Sequence, residues 1–173
     1  MTREEQFRKT IEENRDRIFR ICDYYFPGRT ERDDAYQDSL IRIWQSLPSF
    51  RGESKVSTWI YRIVVNTCLA SFRSEQKRTG NTRSLDRIDI EADPPGQAME
   101  AACRDDNKML FFRNFMQSLP GLDRALVTLY LDELSTREMS EITGLSESNV
   151  RARIHRIKEH VKKEWEETQH GIG

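Results

Sequence analysis

The chain has 173 residues, and its 28 Lys plus Arg against 29 Asp plus Glu leave a formal net charge of −1. Charged residues make up 33 % and the apolar set only 36 %, thin for one large spherical core. No charge-free run approaches the ~20 apolar residues that span a bilayer, and no apolar h-region follows Met1, so neither membrane insertion nor a signal peptide is expected. Cys22, Cys68 and Cys103 are odd in number, far apart and in no CxxC or Cys/His pattern. That argues against a disulfide scaffold and a zinc site, and for a soluble protein of the reducing cytoplasm.

Apolar spacing is helical throughout, which predicts an all-α chain. A first helix is expected from about Thr2 to Tyr25, with Phe7, Ile11, Ile18, Ile21 and Cys22 inward, ending before Pro27-Gly28. A second covers roughly residues 32–47, where Leu40, Ile43, Trp44 and Leu47 follow i, i+3, i+4, i+7. After a loop at 49–57, a third runs from about Thr58 to Ser74. It is apolar nearly all round, through Trp59, Ile60, Ile63, Val64, Val65, Cys68, Leu69 and Phe72, as the central member of a small bundle must be. Residues 1–78 form the first lobe.

The period disappears between Thr79 and about Arg104, where Asp93-Pro-Pro-Gly96 and a local excess of acid mark a flexible linker, with short helical pieces at most around 84–90 and 96–102. Residues 105–173 form a second lobe. Helices are expected at about 106–118 and 122–132, separated by Leu119-Pro-Gly121. Ser135-Thr-Arg-Glu138 fits a capping box, so a further helix starts at Thr136; Gly144 suits its left-handed stop, and Ser146 caps the next. Two helices joined by so short a turn make a helix-turn-helix.

Within the last helix Val150, Ile154, Ile157 and Val161 form one apolar spine, at ~100° per residue. The opposite side presents Ser148, Arg151, Ala152, His155, Arg156 and Glu159. Residues 149–163 also hold Arg153, Lys158, Lys162 and Lys163. Charge alone fits a solvated face; together with the capping and the turn it points to a recognition helix in a major groove. On the third helix Arg62, Asn66 and Arg73 share a stripe bordered by Thr58 and Trp59, with Phe50, Arg51 and Lys55 in the loop before it. Cations beside aromatics suit unstacked single-stranded bases. Spacing alone nonetheless favours a core or rim role for Trp59 and Tyr61.

Asp34-Ala-Tyr-Gln-Asp-Ser-Leu-Ile-Arg-Ile-Trp44, Phe50-Arg-Gly52 and Thr58-Trp-Ile-Tyr-Arg-Ile-Val-Val-Asn-Thr67 resemble region 2 of the extracytoplasmic-function (ECF) sigma factors of the sigma-70 family. Leu119-Pro120, Glu138–Gly144 and Asn149–Arg156 resemble their region 4. The resemblance implies a non-catalytic transcription-initiation subunit without cofactor or metal. Its partners would be core RNA polymerase, promoter DNA and an anti-sigma factor. It further implies polymerase docking at Asp34, Gln37, Asp38, Ile41, Arg42 and Gln45, and melting of the minus-ten element by Phe50, Arg51, Lys55, Thr58, Trp59, Arg62 and Asn66. Ser148, Asn149, Arg151, Ala152, His155 and Arg156 would read the minus-thirty-five element. Ser140 replaces the family's usual alanine, Asp38 a frequent glutamate, and the loop at 52–57 departs from common relatives.

Two rival readings differ in kind. An ordinary helix-turn-helix regulator explains the second lobe but gives no reason for the Arg62/Asn66 stripe. A metal-dependent enzyme built on His155, Glu159 and His160 fails on geometry, because the third ligand is rotated off the shared face.

Overall fold

The structure, a computed structural model, describes residues 2–80 and 104–170. Among them lie α1 (Arg3–Tyr25), α2 (Arg29–Ser46), α3 (Val56–Arg78), α4 (Arg104–Ser118), α5 (Gly121–Leu131), α6 (Thr136–Thr143) and α7 (Glu147–His170), with a 3-10 turn at Leu47–Ser49 and no strand. The all-α expectation holds. The helical pieces expected around 84–90 and 96–102 lie outside the described residues.

The local rules explain the ends of these helices. Thr2 and Glu5 form a capping box on α1 that the sequence reading did not single out. α3 continues past Ser74 to Arg78, and its last turn carries Lys77 and Arg78, which complement the negative end of the helix dipole. α6 starts as expected, with Ser135 Oγ accepting from the Glu138 N–H at 3.2 Å and Glu138 Oε2 accepting from the Ser135 N–H at 2.9 Å. It stops at Gly144, whose φ of +77° is the left-handed conformation that a side chain would strain. Ser140 Oγ donates to the Leu145 carbonyl at 2.5 Å, tightening the corner between α6 and α7.

α1, α2 and α3 bury Ile18, Ile21, Cys22, Ala35, Ile43, Ile60, Val64 and Cys68 between them. Each large side chain taken fully out of water contributes about 1.5–3 kcal/mol before the entropy of ordering. The Cys22 and Cys68 sulfurs lie 3.8 Å apart; their hydrogen bond, with burial, pushes the Cys68 thiol well up. That is the behaviour of an inert core thiol.

The core does not end at the first lobe. Ala125, Leu126, Leu129, Met139, Ile142 and Val150 belong to the same continuous cluster as Ile18, Tyr25, Tyr61 and Leu69. α3 explains why. A helix apolar nearly all round exceeds what two neighbours can cover, and α5 and α6 pack on the side that α1 and α2 leave open. A smaller cluster of Phe115, Met116, Leu119, Val127 and Ile157 joins α4, α5 and α7.

Polar contacts fasten this junction. Arg124 on α5 is 2 % exposed and donates to the carbonyls of Gln117, Leu119 and, across the junction, Tyr25 at 2.7, 3.1 and 3.0 Å. Its guanidinium carbon lies 4.7 Å from the Phe72 ring centroid, also across the junction. Burial brings its pKa down to about 10. Tyr25 Oη donates to the Gly121 carbonyl at 2.5 Å. Tyr61 Oη donates to Asp132 Oδ2 at 2.5 Å, and Asp132 Oδ1 pairs with Arg20 at 2.7 Å.

Candidate nucleic-acid and polymerase interfaces

Three exposed faces carry the residues singled out in the sequence. On α2, Ala35, Ser39 and Ile43 point into the core. Asp34, Gln37, Asp38, Ile41, Arg42 and Gln45 are all exposed and fall on the opposite arc of the helix. Ile41 is 53 % exposed amid these polar neighbours. An exposed apolar side chain at the centre of a polar face is the composition of a docking surface.

On α3 and its preceding loop, Arg51, Arg62 and Asn66 are exposed, and Phe50 and Trp59 are half-buried with ring centroids 4.9 Å apart. Both rings stay partly accessible on the segment that carries the exposed Arg51 and Arg62, and base stacking uses an accessible ring face. The other two residues of the set are placed differently. Thr58 is buried, and Lys55 Nζ pairs with Glu138 Oε1 of α6 at 3.1 Å. α6 therefore meets this set of residues at Lys55.

On α7, Ser148, Asn149, Arg151, Ala152, His155 and Arg156 are all exposed, while Val150 and Ile157 are buried. The Asn149 N–H donates to Ser146 Oγ at 3.3 Å, so Ser146 caps the helix as expected. Arg153 does not belong to the free basic stripe. It is half-buried and its Nη1 pairs with Asp123 Oδ1 of α5 at 2.7 Å. Lys158 is also engaged, with Nζ 4.2 Å from the Tyr130 ring centroid. The stripe thus separates into side chains that reach outward and side chains that fix the helix on its support. Sequence spacing had no means of finding Asp123, because the two partners lie thirty positions apart.

Further along, α7 packs back on α4. Trp165 stacks edge-on against Phe111 at 4.9 Å, and His160 Nε2 lies 2.7 Å from Glu164 Oε1. His155 and His160 therefore have separate surroundings, and no cluster of three metal-ligating side chains occurs among the described residues.

Residues 10–78 match the family model for sigma-70 region 2, and residues 112–161 that for sigma-70 region 4. The ECF RNA polymerase sigma-E factor of Salmonella typhimurium strain LT2 is 36 % identical over 134 residues, covering 73 % of this chain and 69 % of the relative. That of Haemophilus influenzae strain Rd is 31 % identical over 144 residues, covering 79 % and 76 %. In fold, the chain resembles the sigma factor RpoE of Bartonella quintana, solved with the anti-sigma factor NepR. The TM-score is 0.70 at 16 % identity, covering 92 % of this chain and 96 % of that one. It also resembles CnrH, solved with the cytosolic domain of CnrY, with a TM-score of 0.67 at 16 % identity over 94 % and 89 % of the two chains. The chain belongs to the ECF sigma factors of the sigma-70 family, which direct RNA polymerase to promoters.

Proposed function

We propose that this sigma factor divides its work among the three exposed faces. Asp34, Gln37, Asp38, Ile41, Arg42 and Gln45 on α2 dock on core RNA polymerase. Phe50, Arg51, Lys55, Thr58, Trp59, Arg62 and Asn66 open the minus-ten element, and Ser148, Asn149, Arg151, Ala152, His155 and Arg156 on α7 read the minus-thirty-five element. Residues 1–78 and 105–173 act as the two reading lobes and 79–104 as the linker. The observation that carries this reading is that every docking residue on α2 and every reading residue on α7 is exposed, while their helical neighbours build the core.

Melting follows from elementary energetics. Extruding a base costs a few kcal/mol of stacking and pairing, and it is offset by stacking on the Phe50–Trp59 pair and hydrogen bonds from Arg62 and Asn66. Cations on α7 and in the 49–57 loop position the duplex through phosphates, and base edges supply selectivity. No reaction is catalysed by this chain; it acts in the cytoplasm by positioning another enzyme. Among the described residues no helix is long and apolar enough to cross a membrane. An anti-sigma factor is a further proposed partner, supported by the complexes in which the two structural neighbours were solved.

Run-off transcription with purified core polymerase tests the assignment. The Arg62→Ala plus Asn66→Ala variant should bind core polymerase normally and fail to form open complexes. Retained open-complex formation would remove the melting role from α3.

A further inference from the structure

Arg3 lies ahead of residues 10–78, the stretch that matches sigma-70 region 2, and none of the three faces includes it. The Thr2–Glu5 capping box orders the first turn of α1, and Arg3 is the first residue of that turn. From there its side chain crosses to the far end of α2. Nη2 donates to the Trp44 carbonyl at 2.6 Å, and the guanidinium carbon stands 4.1 Å from the Trp44 ring centroid. Phe7, one turn further along α1, meets the same ring edge-on at 5.2 Å. Two residues from the start of α1 thus hold Trp44.

Pro48 makes this contact necessary. In a continuing α-helix the Trp44 carbonyl would accept from the N–H four residues on, and proline has none. The Ile43 carbonyl still receives the Leu47 N–H, after which the chain tightens into the 3-10 turn Leu47–Ser49. The Trp44 carbonyl is left over at that change of pitch, and like any terminal carbonyl it needs a donor from elsewhere. Arg3 supplies it. The turn leads into Phe50, whose N–H donates to the Leu47 carbonyl at 3.2 Å and whose ring lies 4.9 Å from that of Trp59. One short path therefore joins Arg3 to Phe50, through the Trp44 carbonyl and the 3-10 turn.

We infer that Arg3 is a positioning residue for promoter melting: from the first turn of α1 it fixes the corner between α2 and the 3-10 turn, and so sets where Phe50 stands against Trp59. This inference rests on the proposed role of Phe50, Trp59 and α3 in holding a single strand. A captured base needs both rings already in place, and a corner that frays spreads Phe50 over several positions, so that the cost of ordering it falls on capture. Arg3 itself touches neither the strand nor polymerase in this role. Its loss therefore acts on opening and spares docking.

The experiment uses holoenzyme assembled from core polymerase and the full chain, on a duplex that the wild-type holoenzyme selects from a randomised library. Permanganate reactivity of unpaired thymines gives the rate of opening, and titration of core polymerase gives docking. Arg3→Met keeps the stem and loses the donor. It should slow opening about two- to fivefold, the range expected for one exposed charged contact, with core affinity and helix content by circular dichroism unchanged. Arg3→Lys keeps a cation and a donor and should slow opening less than Arg3→Met does. Pro48→Ala restores an N–H at the corner, so adding Arg3→Met to that chain should change the rate by less than about 1.5-fold, a dependence that a general loss of stability would not show. Wild-type opening in Arg3→Met, an equal loss in the two backgrounds, or a fall in core affinity would overturn the inference. Phe50→Ala separates the failure of the underlying assignment. Slow opening in Phe50→Ala beside wild-type opening in Arg3→Met removes only the role of Arg3, whereas wild-type opening in Phe50→Ala removes the strand from this corner and the inference with it.

Discussion

Arg124 Nη1 donates to the Tyr25 carbonyl at 3.0 Å, so a buried cation of the second lobe closes the carbonyl end of α1 in the first. Among the described residues no carboxylate balances it; three backbone carbonyls and two aromatic rings do. Its Nε finds no partner among them. Truncation to alanine leaves those carbonyls without donors and opens a cavity beside Phe72. Arg124→Ala should lower unfolding stability by about 2–4 kcal/mol in urea titration. A loss below ~0.5 kcal/mol would show that the guanidinium adds nothing at this junction.

The pairing of Arg153 with Asp123 predicts a variant that weakens promoter reading without removing a reader. Arg153→Met keeps the apolar stem and removes one of the ties between α7 and α5. Stability should fall by about 1 kcal/mol, the upper end of the range for exposed pairs, since both partners are half-buried. Promoter affinity of the holoenzyme, measured by gel shift, should fall with no change in salt dependence, because no phosphate contact is lost. Arg156→Ala, by contrast, should reduce the slope of log affinity against log salt by about one if the side chain holds a phosphate.

The α2 face predicts a separation of docking from folding. Ile41→Asp places a charge at the centre of a face that makes no core contact in this chain. Core-polymerase affinity should drop at least tenfold, about 1.4 kcal/mol, while the melting temperature moves by less than a few degrees. Unchanged pull-down of core polymerase would move the docking surface off α2.

Acid gives a further check. The Ser135 N–H, together with the Lys55 ammonium, holds the Glu138 carboxyl below its ordinary value. A lowered carboxyl contributes stability that is present above the unfolded pKa, about 4.3, and lost as pH falls through the folded value. The α6 cap and the Lys55 contact should thus be indifferent to pH between 5 and 8 and weaken only in stronger acid. Scattering profiles that expand on moving from pH 8 to 6 would contradict this.

The helix-turn-helix was legible in sequence because its signals are local. Ser135, Glu138, Gly144 and Ser146 each act on backbone within a few positions, and all four stand where the pattern put them. On α2 the period of Leu40, Ile43, Trp44 and Leu47 marked the inward side only in part: Ala35, Ser39, Ile43 and Leu47 are buried, Leu40 and Trp44 are half-buried, and the outward set was named by the family resemblance. The junction between the lobes was not legible. Three of its polar fastenings are side chains donating to backbone carbonyls, at Tyr24, Tyr25 and Gly121, and a carbonyl leaves no trace in a residue pattern. Arg124 resembled any surface cation, and Asp132 any turn residue. The one available sign was the excess of apolar positions around α3, which exceeded what two neighbouring helices can cover.

The hydrogen bonds and ion pairs of the outward residues of α7 stay within that helix and its cap, as in Arg151 with Glu147 and Ser148 with Ser146. Anchoring falls instead to Val150, Arg153 and Ile157. Under the proposed reading role of the outward residues, targeting and architecture are carried by different letters of the same helix. A designer could rewrite positions 148, 149, 151, 152, 155 and 156 to retarget the chain to new genes, leaving its scaffold as nature built it.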